Sequence, residues 1–104
     1  MGKNPEEAVK WYRKAADQGY APAQFNLGVF FENGYGVEKD LTEAVEWYRQ
    51  AAEKGCAPAQ YHFGRCHEYG IGGLEVDIEE AAKWYRKAAA KGHEKAKEAL
   101  SRCE

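Results

Sequence analysis

Residues 44–55 read AVEWYRQAAEKG, and the chain writes nearly the same stretch twice more, as AVKWYRKAADQG at 8–19 and AAKWYRKAAAKG at 81–92. Aligning the copies puts Trp11, Trp47 and Trp84 at steps of 36 and 37 residues. Ala8, Ala44 and Ala81 keep those steps, as do Gly19, Gly55 and Gly92, and also Ala23, Ala59 and Ala96. The one extra residue falls in the second connection, where GIGGLEVD replaces GYGVEKD. Independent markers on one period signal a repeat architecture, in which each unit buries its apolar face by stacking on its neighbours.

Each period divides into two helical stretches. The second stretch opens at an N-cap followed by an acid: Asp40 with Glu43, Asp77 with Glu80, and Asn4 with Pro5 and Glu7. These read as capping boxes, with Pro5 at the favoured first helical position. Leu41, Ala44, Val45, Tyr48, Ala51 and Ala52 then share one helical face with Trp47 at its edge, and Gly19, Gly55 and Gly92 end the copies. The first stretch is APAQFNLGVFFENG or APAQYHFGRCHEYG. Ala23, Leu27 and Phe31, then Ala59, Phe63 and His67, recur every four residues and face the partner helix. Gly28 and Gly64 sit in mid-helix, which predicts close helix approach with alanines resting on bare backbone. Gly34 with Gly36, and Gly70 with Gly72, supply the turns. In this reading Tyr fills the core of a repeat, Trp packs toward the next unit, and Arg is solvated.

These positions are similar to those of the Sel1-like repeat family, relatives of the tetratricopeptide repeats. The resemblance is carried by Ala23, Leu27, Gly28, Phe31, Gly34, Asp40, Ala44, Trp47, Tyr48, Ala51, Ala52 and Gly55. The next copy carries it on Ala59, Phe63, Gly64, Gly70, Asp77, Ala81, Trp84, Tyr85, Ala88, Ala89 and Gly92. It implies an all-α fold: a right-handed α-solenoid of antiparallel helix pairs, about six helices here, whose first helices line a concave, protein-binding groove. Two positions depart from the family. Phe31 and His67 stand where Tyr is typical, and Ala52 and Ala59 stand where some secreted relatives carry a cysteine pair.

One domain of 104 residues follows, divided as a partial repeat 1–19, repeats 20–55 and 56–92, and a C-terminal capping helix 93–104. The capping helix has a thin apolar stripe of Ala96, Ala99 and Leu100, whereas the first helix leaves Val9, Trp11 and Tyr12 without a neighbour.

A hydrophobic fraction of 44% with 31% charged residues describes a folded chain, and a net charge of −2 gives no electrostatic attraction for nucleic acid or an anionic membrane. The opening MGKNPEEAVK has no apolar core of a secretory signal, and Glu6 stands where myristoylation needs Ser or Thr. Three cysteines, Cys56, Cys66 and Cys103, are an odd number for a disulfide framework and favour a reducing, cytoplasmic setting.

Catalytic chemistry finds little to use. Ser101 and Thr42 are the only hydroxyl nucleophiles of their kinds. Cys66 and His67 are sequence neighbours that point about 100° apart on a helix. Cys66 also repeats Phe30 and Cys103, the register of a small buried hydrophobe. His62 with Cys66 and His67 is short of the four ligands of a structural zinc. NGYGVEKD has the glycines and lysine of a phosphate loop, but the repeat accounts for them as a turn. No enzyme activity, cofactor or metal is expected.

A surface remains. The groove face of the first helices carries Phe25, Val29, Glu32 and Asn33, then Tyr61, Arg65, Glu68 and Tyr69, then Glu98 and Arg102. These residues differ between copies while the core repeats. The sequence therefore predicts a noncatalytic scaffold or adaptor that binds a partner peptide or helix through Phe25, Val29, Glu32, Tyr61, Arg65, Glu68, Tyr69 and Arg102. Aromatic side chains would anchor the partner, and Arg65 and Arg102 would read an acidic group. The alternative is a structural unit forming homo-oligomers through its open repeat ends.

Overall fold

The computed structural model describes residues 4–104; the myristoylation reading and the start of the 1–19 unit lie partly outside them. The described residues form six helices in chain order: α1 (Pro5–Asp17), α2 (Ala21–Asn33), α3 (Leu41–Glu53), α4 (Ala57–Tyr69), α5 (Ile78–Ala90) and α6 (Glu94–Cys103). Each helix packs on its neighbours in the chain, α2 on α3 and α4 on α5 within a hairpin, and α1, α3 and α5 on the helix that follows. The result is an elongated α-solenoid of 41 × 26 × 21 Å.

The caps form largely as the sequence predicts. Asp40 accepts the backbone N–H of Glu43 at 3.1 Å and Asp77 that of Glu80 at 3.0 Å. Asn4 instead takes the N–H of Glu6, at 2.9 Å. The reciprocal half of the capping box is absent, because the carboxylates of Glu43 and Glu80 turn outward to accept the indole N–H of Trp47 and Trp84 at 3.1 and 3.2 Å. A buried indole needs an acceptor, and the carboxylate one turn away is the nearest one.

The core runs along the array. Ala23, Leu27, Phe31, Ala44, Val45, Tyr48, Ala51, Ala52, Ala59 and Phe63 are buried, and Leu27 and Tyr48 almost completely so. Leu41, placed on the core face by its spacing, is instead exposed at the helix start. The mid-helix glycines admit tyrosines rather than alanines. A Cβ on Gly28 would lie 2.5 Å from the Tyr48 ring, and one on Gly64 2.8 Å from that of Tyr85. The helix forgoes alanine's higher propensity there so that an aromatic ring can lie flat on backbone.

Trp84 faces backward along the array, not toward the next unit. Trp84 meets Phe63 of its own hairpin edge-on at 5.2 Å and shares a cleft with Ala52, Lys54 and Gly55 of the preceding turn. Trp47 and Trp84 are 8% and 6% exposed, whereas Trp11, with no described helix in front of it, is 65% exposed. The first helix is otherwise better covered than its sequence suggests: Val9 is buried and Tyr12 packs edge-on against Phe30 at 5.4 Å.

Candidate functional site

Two rows of helices run along the solenoid, α2, α4 and α6 in one and α1, α3 and α5 in the other. Side chains join α2 to α4 and α4 to α6 directly, and that row is the one the family resemblance expects on the inner, concave side. Near the starts of these helices the joints are aromatic. Phe25 lies 5.0 Å from the His62 ring and 5.9 Å from Tyr48. Tyr61 continues the line, 5.3 Å from His62, 5.8 Å from Tyr85 and stacked on His93 at 4.9 Å. The rings are half-buried, so they close the seam between units and still present edges to solvent.

Further along the same helices the joints are ionic. Glu32 accepts the Tyr48 hydroxyl at 2.5 Å and Arg65 Nη2 at 3.0 Å. Glu68 repeats the arrangement with the Tyr85 hydroxyl at 2.6 Å and Arg102 Nη2 at 2.9 Å, and Arg102 also approaches the Tyr69 hydroxyl at 3.4 Å. Each glutamate thus satisfies a buried tyrosine of its own unit and holds an arginine of the next. Val29 takes the register position of Arg65 and Arg102. Asn33 bonds back to the Val29 carbonyl at 2.9 Å, and Glu98 is exposed on α6.

Burial pushes the Glu32 carboxyl upward, but the Tyr48 bond and the Arg65 guanidinium outweigh it and hold the group below its ordinary value. Glu68 is lowered in the same way: burial opposes, while Arg102 and Tyr85 prevail. Tyr48 and Tyr85 move far upward, through burial first and then the adjacent carboxylate, so both remain protonated donors.

Tyr61, His62, Arg65, His93, Glu94 and Lys95 line a concavity of about 560 Å³ between α4 and α6. His62 Nδ1 donates to the Pro58 carbonyl at 2.9 Å, and burial lowers its pKa. His93 accepts the Ala96 N–H at Nδ1, which leaves Nε2 to carry the ring proton. Glu94 is engaged by Lys97 at 3.3 Å. Arg65 gives one N–H to Glu32 and has further donors on its fork.

All eight residues chosen from the sequence lie on the inner row, but they do not act as eight independent contacts. Glu32 with Arg65, and Glu68 with Arg102, are joined across units. Phe25 and Tyr61 are partly occupied in seams, while Tyr69 is the exposed aromatic. His62, considered from sequence only as a metal ligand, and His93, not singled out there, join the same line of rings; the place of His62 next to Tyr61 was the available signal. Cys66 is buried, its thiol pushed up to about 12 by burial. His67 packs on Phe63 at 4.7 Å. No group of three His, Cys, Asp or Glu side chains suited to a metal ion occurs among the described residues.

An inner row of short helices joined by repeating side-chain bridges defines a helical-repeat solenoid. Residues 1–20, 21–56 and 57–93 each match the Sel1 repeat, and the chain belongs to the Sel1 repeat family. Its structure is similar to that of a Sel1 repeat protein from Oxalobacter formigenes, with a TM-score of 0.90 and 46% identity over 96% of this chain and 41% of that one. It is also similar to c5321, a protective antigen of uropathogenic Escherichia coli strains with an SLR fold, at a TM-score of 0.86 and 42% identity over 92% of this chain and 20% of the other. Among curated proteins, 35 residues are 46% identical to DAP3-binding cell death enhancer 1 of Rattus norvegicus, 34% of this chain and 7% of that protein. The chain thus spans well under half the length of these relatives. Sel1 repeat proteins are in general protein-interaction scaffolds.

Proposed function

We propose that the chain is a noncatalytic interaction module that holds an extended peptide or a helix along its inner row. The observation that carries this reading is the line of half-buried rings Phe25, His62, Tyr61 and His93, which crosses three units and remains open to solvent at its edges. Aromatic groups already fixed by their neighbours lose little conformational freedom on binding, the property expected of anchors. Arg65 and Arg102 flank the rings with unused donors for an acidic side chain of the partner.

Exposure of Trp11 favours a second reading, in which copies stack end to end. Two residues of α6 oppose it. Ser101 stands in the register of Gly28 and Gly64, where a Cβ would meet the tyrosine ring of the docking helix. Lys97 and Lys14 stand in the registers of Gln24 and Gln50, which donate and accept at 3.2 Å in the first hairpin, so a copied junction would oppose two cations.

The groove is tested with a peptide selected from a displayed random library on the wild-type protein. Tyr69→Ala should weaken its binding by about tenfold or more, the scale of an interface anchor, without lowering the melting temperature; Val29→Glu should weaken it as well, at a cost in melting temperature because Val29 packs on the core. Glu46→Lys on the outer row should leave it unchanged. Equal binding by all three variants would reject the groove.

A further inference from the structure

The solenoid carries a polar lock at one junction and an open copy of it at the next. Gln24, 1% exposed, donates to the Ala16 carbonyl and to Gln50 Oε1, both at 3.2 Å. Lys54 completes it, donating to Gln24 Oε1 at 3.3 Å and to the Gly19 carbonyl at 2.9 Å. One unit later Gln60, 4% exposed, donates to the Ala52 carbonyl at 3.2 Å, but its Oε1 has no partner. It is the one buried side-chain nitrogen or oxygen among the described residues left in that state. Lys87 stands where the first junction has Gln50 and lies over the Trp84 ring at 4.8 Å.

Gln60 lines a cleft of about 710 Å³ with Trp84, Lys54, Lys87 and Lys91. None of these lysines is ion-paired with an acid among the described residues, and Glu53 on the rim is taken by Arg49 at 3.2 Å. The cleft therefore combines an acceptor in need of a donor, a cluster of cations in need of an anion, and an indole wall. It shares no lining residue with the concavity between α4 and α6.

We propose that this cleft binds an acidic peptide segment: Gln60, whose Oε1 is buried, turns toward the cleft to accept a backbone N–H of the segment while an Asp or Glu carboxylate reaches Lys87 and Lys91. A sulfate dianion would satisfy the lysines but has no hydrogen to give Gln60; a peptide supplies both groups.

The probe is acetylated, amidated tetraglutamate, titrated into isotope-labelled protein and followed by NMR. The Gln60 side-chain amide and the Trp84 indole should shift and saturate. Lys87→Gln, which copies the closed first junction, should weaken binding by about tenfold at unchanged or higher melting temperature, the scale of one charge-assisted contact. Equal affinity in Lys87→Gln would overturn the proposal, as would equal shifts with inorganic sulfate. Shifts at Tyr61 and Arg65 in place of Gln60 and Trp84 would do the same, assigning the acid to the groove. So would Lys91→Ala lowering the melting temperature as much as Lys54→Ala, because Lys91 would then satisfy Gln60 unaided.

Discussion

Gly72→Ala should lower stability by about 2–4 kcal/mol, combining the strain of a left-handed backbone with overpacking. Gly72 has φ +66°, and a Cβ there would lie 2.5 Å from Val45 Cγ2 and 2.6 Å from the Leu41 carbonyl oxygen. The contact joins units, because the α4–α5 connection is pressed onto the start of α3. Its equivalent, Gly36, has φ +74° and would place a Cβ 2.5 Å from the Pro5 backbone at the start of α1. Gly73→Ala separates the two causes. Gly73 has φ +90° and open space around it, so that variant suffers only the backbone strain, about 1–2 kcal/mol. Chemical denaturation reads the difference, and a Gly72→Ala loss no larger than that of Gly73→Ala would show that the close approach is absent.

Glu32→Ala should cost about 2–3 kcal/mol at neutral pH, the expense of a buried hydroxyl left without its acceptor together with a lost charge-assisted bond. It strands the Tyr48 hydroxyl inside the repeat and frees Arg65 between repeats. The pH dependence follows from the direction of the shift. The folded carboxyl lies below its ordinary value of 4.5, so its contribution is fully present above that pH and is lost as pH falls through the folded pKa. The gap between wild type and variant, measured by urea denaturation, should therefore be fully present from neutrality to about pH 5 and close in stronger acid. His62 adds an earlier phase, deeper in the variant because the Glu32 charge that partly offsets its burial is gone. Burial lowers its pKa from 6.5, so stability declines as pH falls below that value and the ring is driven to charge. A gap that persists unchanged in strong acid would contradict the Glu32 assignment.

The architecture was legible because the sequence states it three times. One period fixed the helix pairs, the caps at Asp40 and Asp77, and the turns, and six helices formed where the period placed them. What escaped was whatever depends on the direction of a side chain. Spacing put an apolar position opposite Gly28 and Gly64, but could not decide that it was a tyrosine ring rather than an alanine methyl. It gave Trp47, and with it Trp84, a place at the stripe edge, yet the preceding turn beside Trp84 is known only once the units are stacked. The groove shows the same division. Its residues were found by comparing copies, since partner-facing positions vary while core positions repeat. Their mutual pairing was not found, although Glu32 to Arg65 and Glu68 to Arg102 span nearly one period, 33 and 34 residues. A near-period spacing of opposite charges on equivalent helices is the signal of a bridge between repeats. Gln60 was invisible for a related reason: Gln24 and Gln60, like Lys54 and Lys91, read identically, and only the structure shows that Lys54 reaches Gln24 Oε1 while nothing reaches that of Gln60.

The most direct test of the module places a photo-crosslinking benzoylphenylalanine at Tyr69 on the inner row, with the same group at Glu46 on the outer row as reference. In extract of the source cells, position 69 should trap a discrete protein, competed away by the library-selected peptide, and position 46 should trap none. Trapping the same protein from both positions, or from position 69 only a second copy of this chain, would contradict a partner-binding groove.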